Sequence, residues 1–208
     1  MIGCCRRLWR DRRGVSAIEF AMIGPIAMLL VAVVIEAGFL WGGATALEAG
    51  GRAAARYGLA GAGAVDQTRT EVIRRIVTEH VCPHALDGTN STCFWAADGP
   101  RFEDETGDLT PLFLELRAYS DPRNLGRPEP LSDRDGDGAR DPDEDFDDLN
   151  GNGVWDADTG VAGPGGPADL VVYDLAIHQT VLNPLLRAAV GGDTLRHETR
   201  IVIRNEPF

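Results

Sequence analysis

Lysine is missing from this 208-residue chain; all twenty basic residues are Arg. That bias reads as coding composition rather than chemistry. Cationic charge is also thin beyond the start. Residues 1–14 hold five Arg against one Asp, so the remainder carries −16 where the whole chain carries −12. A region this acidic does not hold nucleic acid by phosphate attraction, which needs clustered cationic side chains. Catalytic signatures are absent as well. There is no HExxH, no phosphate-binding P-loop, no nucleophile elbow and no pair of acids in an apolar setting. An enzyme acting on a small-molecule substrate is therefore not expected. Cysteine is limited to four residues and never forms a CxxC pair. Finally, no charge at all falls between Phe20 and Ile35.

That last absence defines the main feature. Arg6, Arg7, Arg10, Arg12 and Arg13 precede an apolar run that reaches Trp41. Val15 to Trp41 is 27 residues, about 40 Å of helix against a hydrocarbon core of about 30 Å. The run is too long for the core of a secretory signal peptide, and its small residue precedes rather than follows it. The basic flank should hold the N-terminus in the cytoplasm. One acid, Glu19, sits just inside the run, where a lone carboxylate costs on the order of 2–3 kcal/mol. An ordinary signal anchor with a stray Glu is the plain alternative. Glu36 should lie near the outer interface, within reach of water.

A basic leader ending in Gly14, followed by Val15 and by Glu19 one helical turn on, has the layout of a type IV prepilin signal. If a peptidase cuts after Gly14, Val15 gains an ammonium group. The Glu19 carboxylate of one subunit can then pair with a neighbour's ammonium, neutralising two charges in an apolar setting. Gly14-Val15-Ser16-Ala17-Ile18-Glu19-Phe20-Ala21 with Pro25 beyond resembles the TadE family of minor pilins of the tight-adherence, or Flp, pilus system. Ala46–Gly58 is similar to the Ala- and Arg-rich helix that continues the span in that family, and Arg204–Phe208 to its C-termini. The resemblance implies cleavage by prepilin peptidase, contact with other pilins or pilus-assembly proteins, and a seat in the inner membrane. It also implies a C-terminal domain that is periplasmic or part of a surface pilus.

The chain thus divides into a leader (1–14), a membrane helix (15–41) and a pilin-like domain (42–208). The expected class is α+β: a long transmembrane and stalk helix, then a small domain with an antiparallel sheet. Gly42, Ala46, Gly50, Ala54 and Gly58 recur every four residues, a ridge that lets another helix approach closely. It suits either packing on the protein's own domain or packing in a filament. Asp66 is placed to cap a helix over 67–80 with Val72, Ile73, Ile76 and Val77 on one face. Residues 112–119 and 194–204 read as strands and 168–181 contains another, with a helical turn that begins at Asn183-Pro184 and ends near Gly191-Gly192. Cys82 and Cys93 are expected to bridge in the oxidising periplasm. With His80 and His84 they also admit a zinc reading, against which the compartment and the missing CxxC argue. His178 and His197 read as ordinary strand residues.

The second motif lies in an acidic insert, 131–160. Residues 133–158 contain eleven acids and two Arg, which alone would describe a solvated linker. The acids are spaced, however, and glycines fall at turn positions. Asp133, Asp135, Asp137, Ala139 (through its carbonyl), Asp141 and Glu144 match positions 1, 3, 5, 7, 9 and 12 of a calcium loop of EF-hand type. A second copy offers Asp148, Asn150, Asn152, Val154 and Asp156 but has Thr159 at position 12, as in the shortened loops of thrombospondin type 3 or dockerin repeats. Its missing carboxylate is expected from Asp158, from 144–147 or from water. Pro142 and the 160–167 stretch forbid long flanking helices, so Ca2+ would fold the insert rather than drive a switch. A membrane-anchored calcium-dependent binding module without a pilus role is the alternative reading of the whole chain.

Overall fold

The computed structural model describes residues 15–59, 66–82, 102–103, 109–110, 112–134, 136, 140–142 and 144–207. Helix α1 (Val15–Leu59) runs without a break through Pro25. Its Ala17–Leu59 portion is long and apolar enough to cross a membrane. Its two halves differ. Up to Gly38 nearly every side chain described is exposed, including Ile18, Phe20, Met22 and Ile35. From Leu40 onward one face is buried: Leu40, Gly43, Leu47, Gly50, Ala54 and Gly58. The other face is polar, with Arg52 paired to Glu48 one turn back at 3.1 Å.

Helix α2 (Asp66–Val81) folds back on α1. Of the expected face, Ile73 and Val77 are fully buried and Ile76 is packed against the same core, while Val72 is half-buried outside it. Two short strands, β1 (Phe102–Glu103) and β2 (Leu109–Thr110), pair with each other. The main sheet has the order β4-β3-β5-β6, all antiparallel, with β3 (Leu112–Tyr119), β4 (Val161–Ala162), β5 (Leu170–Thr180) and β6 (Thr194–Arg204). Helix α3 (Pro184–Val190) joins β5 to β6. Asn183 caps its start by accepting from Leu185 N–H, and Gly191 ends it in the left-handed region at φ 80°.

The period of two divides β5 as expected. Val171, Tyr173, Leu175, Ile177 and Gln179 face the helices and are buried, joined by Leu112, Leu116, Ile201 and Ile203. The opposite face carries ion pairs, such as Arg200 with Asp174 at 2.6 Å. This α+β architecture is the expected one. The small-residue ridge also has its answer: Gly50, Ala54 and Gly58 are buried within the protein's own domain. A Cβ on Gly50 would lie 3.3 Å from Val77 Cα, and one on Gly58 would lie 1.9 Å from Tyr173 Oη.

Contacts along α1 set its direction. Gln179 Nε2 donates to Phe39 O at 3.2 Å, Gly51 faces Leu175 and Ile201, and Glu206 N–H donates to Leu59 O at 3.2 Å. So α1 runs antiparallel to β5. The Thr180 end of the sheet lies beside the bare half of the helix. The Leu170 and Tyr119 end lies beside Leu59. The acidic insert leaves the sheet after Tyr119 and returns at β4, at the end remote from the bare segment.

Candidate functional site

Two places invite function: the bare half of α1 and the acidic insert. In the first, Gly14 lies outside the described residues. Val15 opens α1, and Glu19 is exposed one turn later. Glu36 is partly exposed. Its carboxylate accepts from Leu182 N–H and from Asn183 N–H, the latter at 2.8 and 3.0 Å. Glu36 therefore ties the helix to the turn after β5.

In the insert, Asp135, Asp137 and Ala139 lie outside the described residues. The remaining positions reveal a relation between the two loops. In the first, Arg134 N–H donates to Glu144 Oε1 at 2.7 Å and Asp141 N–H to Glu144 Oε2 at 3.1 Å. In the second, Leu149 N–H donates to Glu129 Oε1 at 2.8 Å and Asp156 N–H to Glu129 Oε2 at 3.1 Å. These are loop positions 2 and 9 in both cases. At position 4, Gly136 and Gly151 have φ of 80° and 78°, and each donates its N–H at 2.6 Å to the Asp at position 1. Glu129 thus stands to the second loop as Glu144 stands to the first.

Both acids are buried; Glu129 is 1% exposed. A buried carboxylate is tolerated when N–H donors satisfy its oxygens. The sequence carries the signal, which the loop-by-loop reading missed. Glu129–Asp143 and Glu144–Asp158 are tandem fifteen-residue units with Glu at the first place and Asp at the fifth. The units cross. Leu131 and Phe146 form an antiparallel bridge, flanked by Ser132 N–H to Asp145 O at 2.8 Å and Asp147 N–H to Pro130 O at 2.9 Å. Each unit then lends its Glu to the other's loop. The position 8 residues close over the join: the Arg140 guanidinium lies 4.8 Å from the Phe146 ring centre, and Trp155 Nε1–H donates to Glu129 O at 3.0 Å.

The second loop is fully described. Asn150 and Asn152 side-chain amides both donate to Asp156 Oδ2, at 2.7 and 2.6 Å. Asp148 accepts from Gly153 N–H at 2.8 Å as well as from Gly151 N–H. The Gly153 N–H holds the Asp148 carboxyl below its ordinary range. Positions 3, 5 and 9 therefore converge on one carboxylate oxygen. Asp158 does not join them. It accepts from Arg117 at 2.5 Å and from Tyr119 Oη at 2.9 Å, which fastens the insert to β3. Burial pushes its pKa up, but Gly160 N–H, Tyr119 and Arg117 outweigh that and hold it low. Thr159 is buried and donates to Asn124 O. Among the described residues no group of three His, Cys, Asp or Glu is gathered to hold a metal ion. In the second loop two of the three convergent side chains are amides.

Cys82 is fully buried just after α2. Cys93 and His84 lie outside the described residues. His178 and His197 are both in β5 and β6 as expected, and His197 Nε2 meets Gln179 Oε1 at 3.0 Å.

Residues 14–56 match a family model described as TadE-like protein. The match begins at Gly14 and covers α1 up to its last three residues. No curated protein and no solved structure matches the chain.

Proposed function

We propose that this chain, whose residues 14–56 match the TadE-like family model, is a TadE-like minor pilin, or pseudopilin, acting in tight-adherence pilus assembly. The single observation behind this is the division of α1. The family match coincides with one continuous helix that is bare over its apolar first half and seated on a sheet over its second. The bare half anchors the protein in the inner membrane, with the N-terminus cytoplasmic and the domain periplasmic. Prepilin peptidase cuts after Gly14, and the Val15 ammonium of one subunit pairs with Glu19 of another during assembly. The role is structural rather than enzymatic. N-terminal sequencing of the protein from cells holding the peptidase should start at Val15, and Gly14→Leu should block the cut. A chain still starting at Met1 in such cells removes the pilin reading. Glu19→Ala should insert normally yet impair piliation.

The insert is proposed to bind Ca2+ in its two loops. A hard cation takes six to eight oxygens from flexible loops. In the second loop Asp148, Asn150, Asn152, Asp156 and the Val154 carbonyl are the candidate donors. The two amides now aimed at Asp156 by their nitrogens would present oxygen after a half-turn of the side chain. The bound ion would supply positive charge among the acids. Glu129 and Glu144 shape the loops by holding the N–H groups at positions 2 and 9. Cys82 and Cys93 are proposed to form a periplasmic disulfide.

A further inference from the structure

The turn that Glu36 holds is itself apolar and uncovered. Leu182, in the turn before α3, is 70% exposed, and on that seven-residue helix, whose one charge is Arg187, Leu185 is 51% and Val190 40% exposed. That Arg is already occupied: its Nε donates to Val181 O at 2.6 Å and its Nη1 lies 3.4 Å from Asp193. Such a patch has no reason to face water.

Its height is fixed. Glu36, the first charge after Glu19, lies about 31 Å along α1 from Val15, the thickness of a hydrocarbon core. Because the Leu182 and Asn183 N–H groups rest on the Glu36 carboxylate, the start of α3 lies at that same level. Trp41, 73% exposed, follows about one and a half turns above, in the zone that indoles favour at a membrane surface. Charge agrees. The acidic insert occupies the opposite end of the sheet, beside Leu59, about 35 Å farther along α1, so its carboxylates stand away from the surface.

We propose that Leu182, Leu185 and Val190 dip into the interface of the membrane leaflet on the domain's side, giving the protein a second foothold beside the span. Short apolar helices bind there by burying their apolar face at the headgroup and acyl boundary. The two footholds, joined through Glu36, fix the tilt and rotation of the domain over the bilayer. The proposal rests on α1 being membrane-spanning.

The test uses the full chain reconstituted in phosphatidylcholine vesicles. An environment-sensitive fluorescent amino acid is placed singly at 26, 154 or 185, and nitroxide-bearing lipids serve as shallow or deep quenchers. Position 185 should lose fluorescence to the shallow quencher, position 26 to the deep one, and position 154 to neither. A probe at 185 quenched no more than one at 154, with 26 still quenched, overturns the proposal while leaving the span intact. An unquenched probe at 26 removes the span and the proposal together. In a second arm, Leu182→Ser combined with Leu185→Ser should abolish shallow quenching of a probe at 190 without loss of the domain's near-ultraviolet circular dichroism. Unchanged quenching at 190 would also overturn it.

Discussion

Gly58→Ala tests the closest approach between α1 and the sheet. Glycine to alanine in a helix ordinarily gains up to about 1 kcal/mol. Here the new methyl would sit 1.9 Å from Tyr173 Oη and 3.2 Å from Tyr173 Cζ. Carbon in ordinary contact needs about 3.5 Å, so the hydroxyl must retreat by about 1.5 Å. It has nowhere simple to go. Tyr173 is fully buried in the central strand, between Leu116 of β3 and Ile201 of β6, and burial raises its hydroxyl pKa to about 12. Overpacking of this kind costs about 1–3 kcal/mol. A clash this close belongs at the upper end, leaving a net loss of about 2 kcal/mol after the helix gain. That corresponds to a fall in Tm of about 4–8 °C. Tyr173→Phe should relieve it. The remaining 3.2 Å contact needs only a few tenths of an ångström, and the lost hydroxyl has no hydrogen-bond partner among the described residues. The double variant should therefore recover to within about 1 kcal/mol of wild type, a coupling of about 1–3 kcal/mol. Thermal unfolding of the detergent-solubilised chain, followed by near-ultraviolet circular dichroism, reads all four states. A stabilised Gly58→Ala, or a double variant no better than the single, would refute the packing of α1 on β5 at this point.

The other predictions concern the insert and its surroundings. Glu129→Gln removes one carboxylate oxygen from beneath Leu149 N–H or Asp156 N–H; it should loosen the second loop by about 1–3 kcal/mol and shift the emission of a variant whose only tryptophan is Trp155. A blue or unchanged spectrum would count against the crossed arrangement. Asp148 and Asp158 are both held below the ordinary carboxylate range. Their contribution is present above about pH 4 and is lost as pH falls through and below it. The Trp155 signal should therefore report the insert loosening at acid pH, and a flat profile to about pH 2 would contradict this. Calorimetric titration of metal-stripped protein should show Ca2+ binding, weakened by Asp137→Ala and by Glu129→Gln, with Mg2+ a poor substitute; no heat at millimolar calcium returns the insert to a linker. Cys82 and Cys93 should resist alkylation before reduction, and loss of their bridge should cost about 2–3 kcal/mol.

Local chemistry made much of this fold legible. Strand β6 matches its reading at both ends, Thr194 and Arg204, because its alternation is uninterrupted. The two faces of β5 separate for the same reason. Asn183-Pro184 and Gly191 marked both ends of α3. The stripe from Gly42 to Gly58 was legible as a close-packing ridge but not as to its partner, since small residues say how near something comes and not what it is. The partners of Glu36 were not legible, because the N–H groups it holds are 146 and 147 residues away. Asp158 has the spacing of a loop ligand, yet Arg117 and Tyr119 on β3 claim it. Glu129 stayed hidden because a loop is searched forward for its twelfth residue, whereas this one is completed from behind. The two-residue strands β1, β2 and β4 are too short to show any period.

The crossed lending of Glu129 and Glu144 bears on how such an insert can arise or be lost. A lone fifteen-residue unit would hold a carboxylate with no loop to enter and a loop with no carboxylate to close it. Two units settle each other's debt and leave nothing outstanding, while a third would again be odd. Arrays on this plan should therefore grow and shrink in twos. Removing only Glu144–Asp158 should undo Glu129–Asp143 as well, whereas excising the whole pair between Tyr119 and β4 should leave the sheet standing.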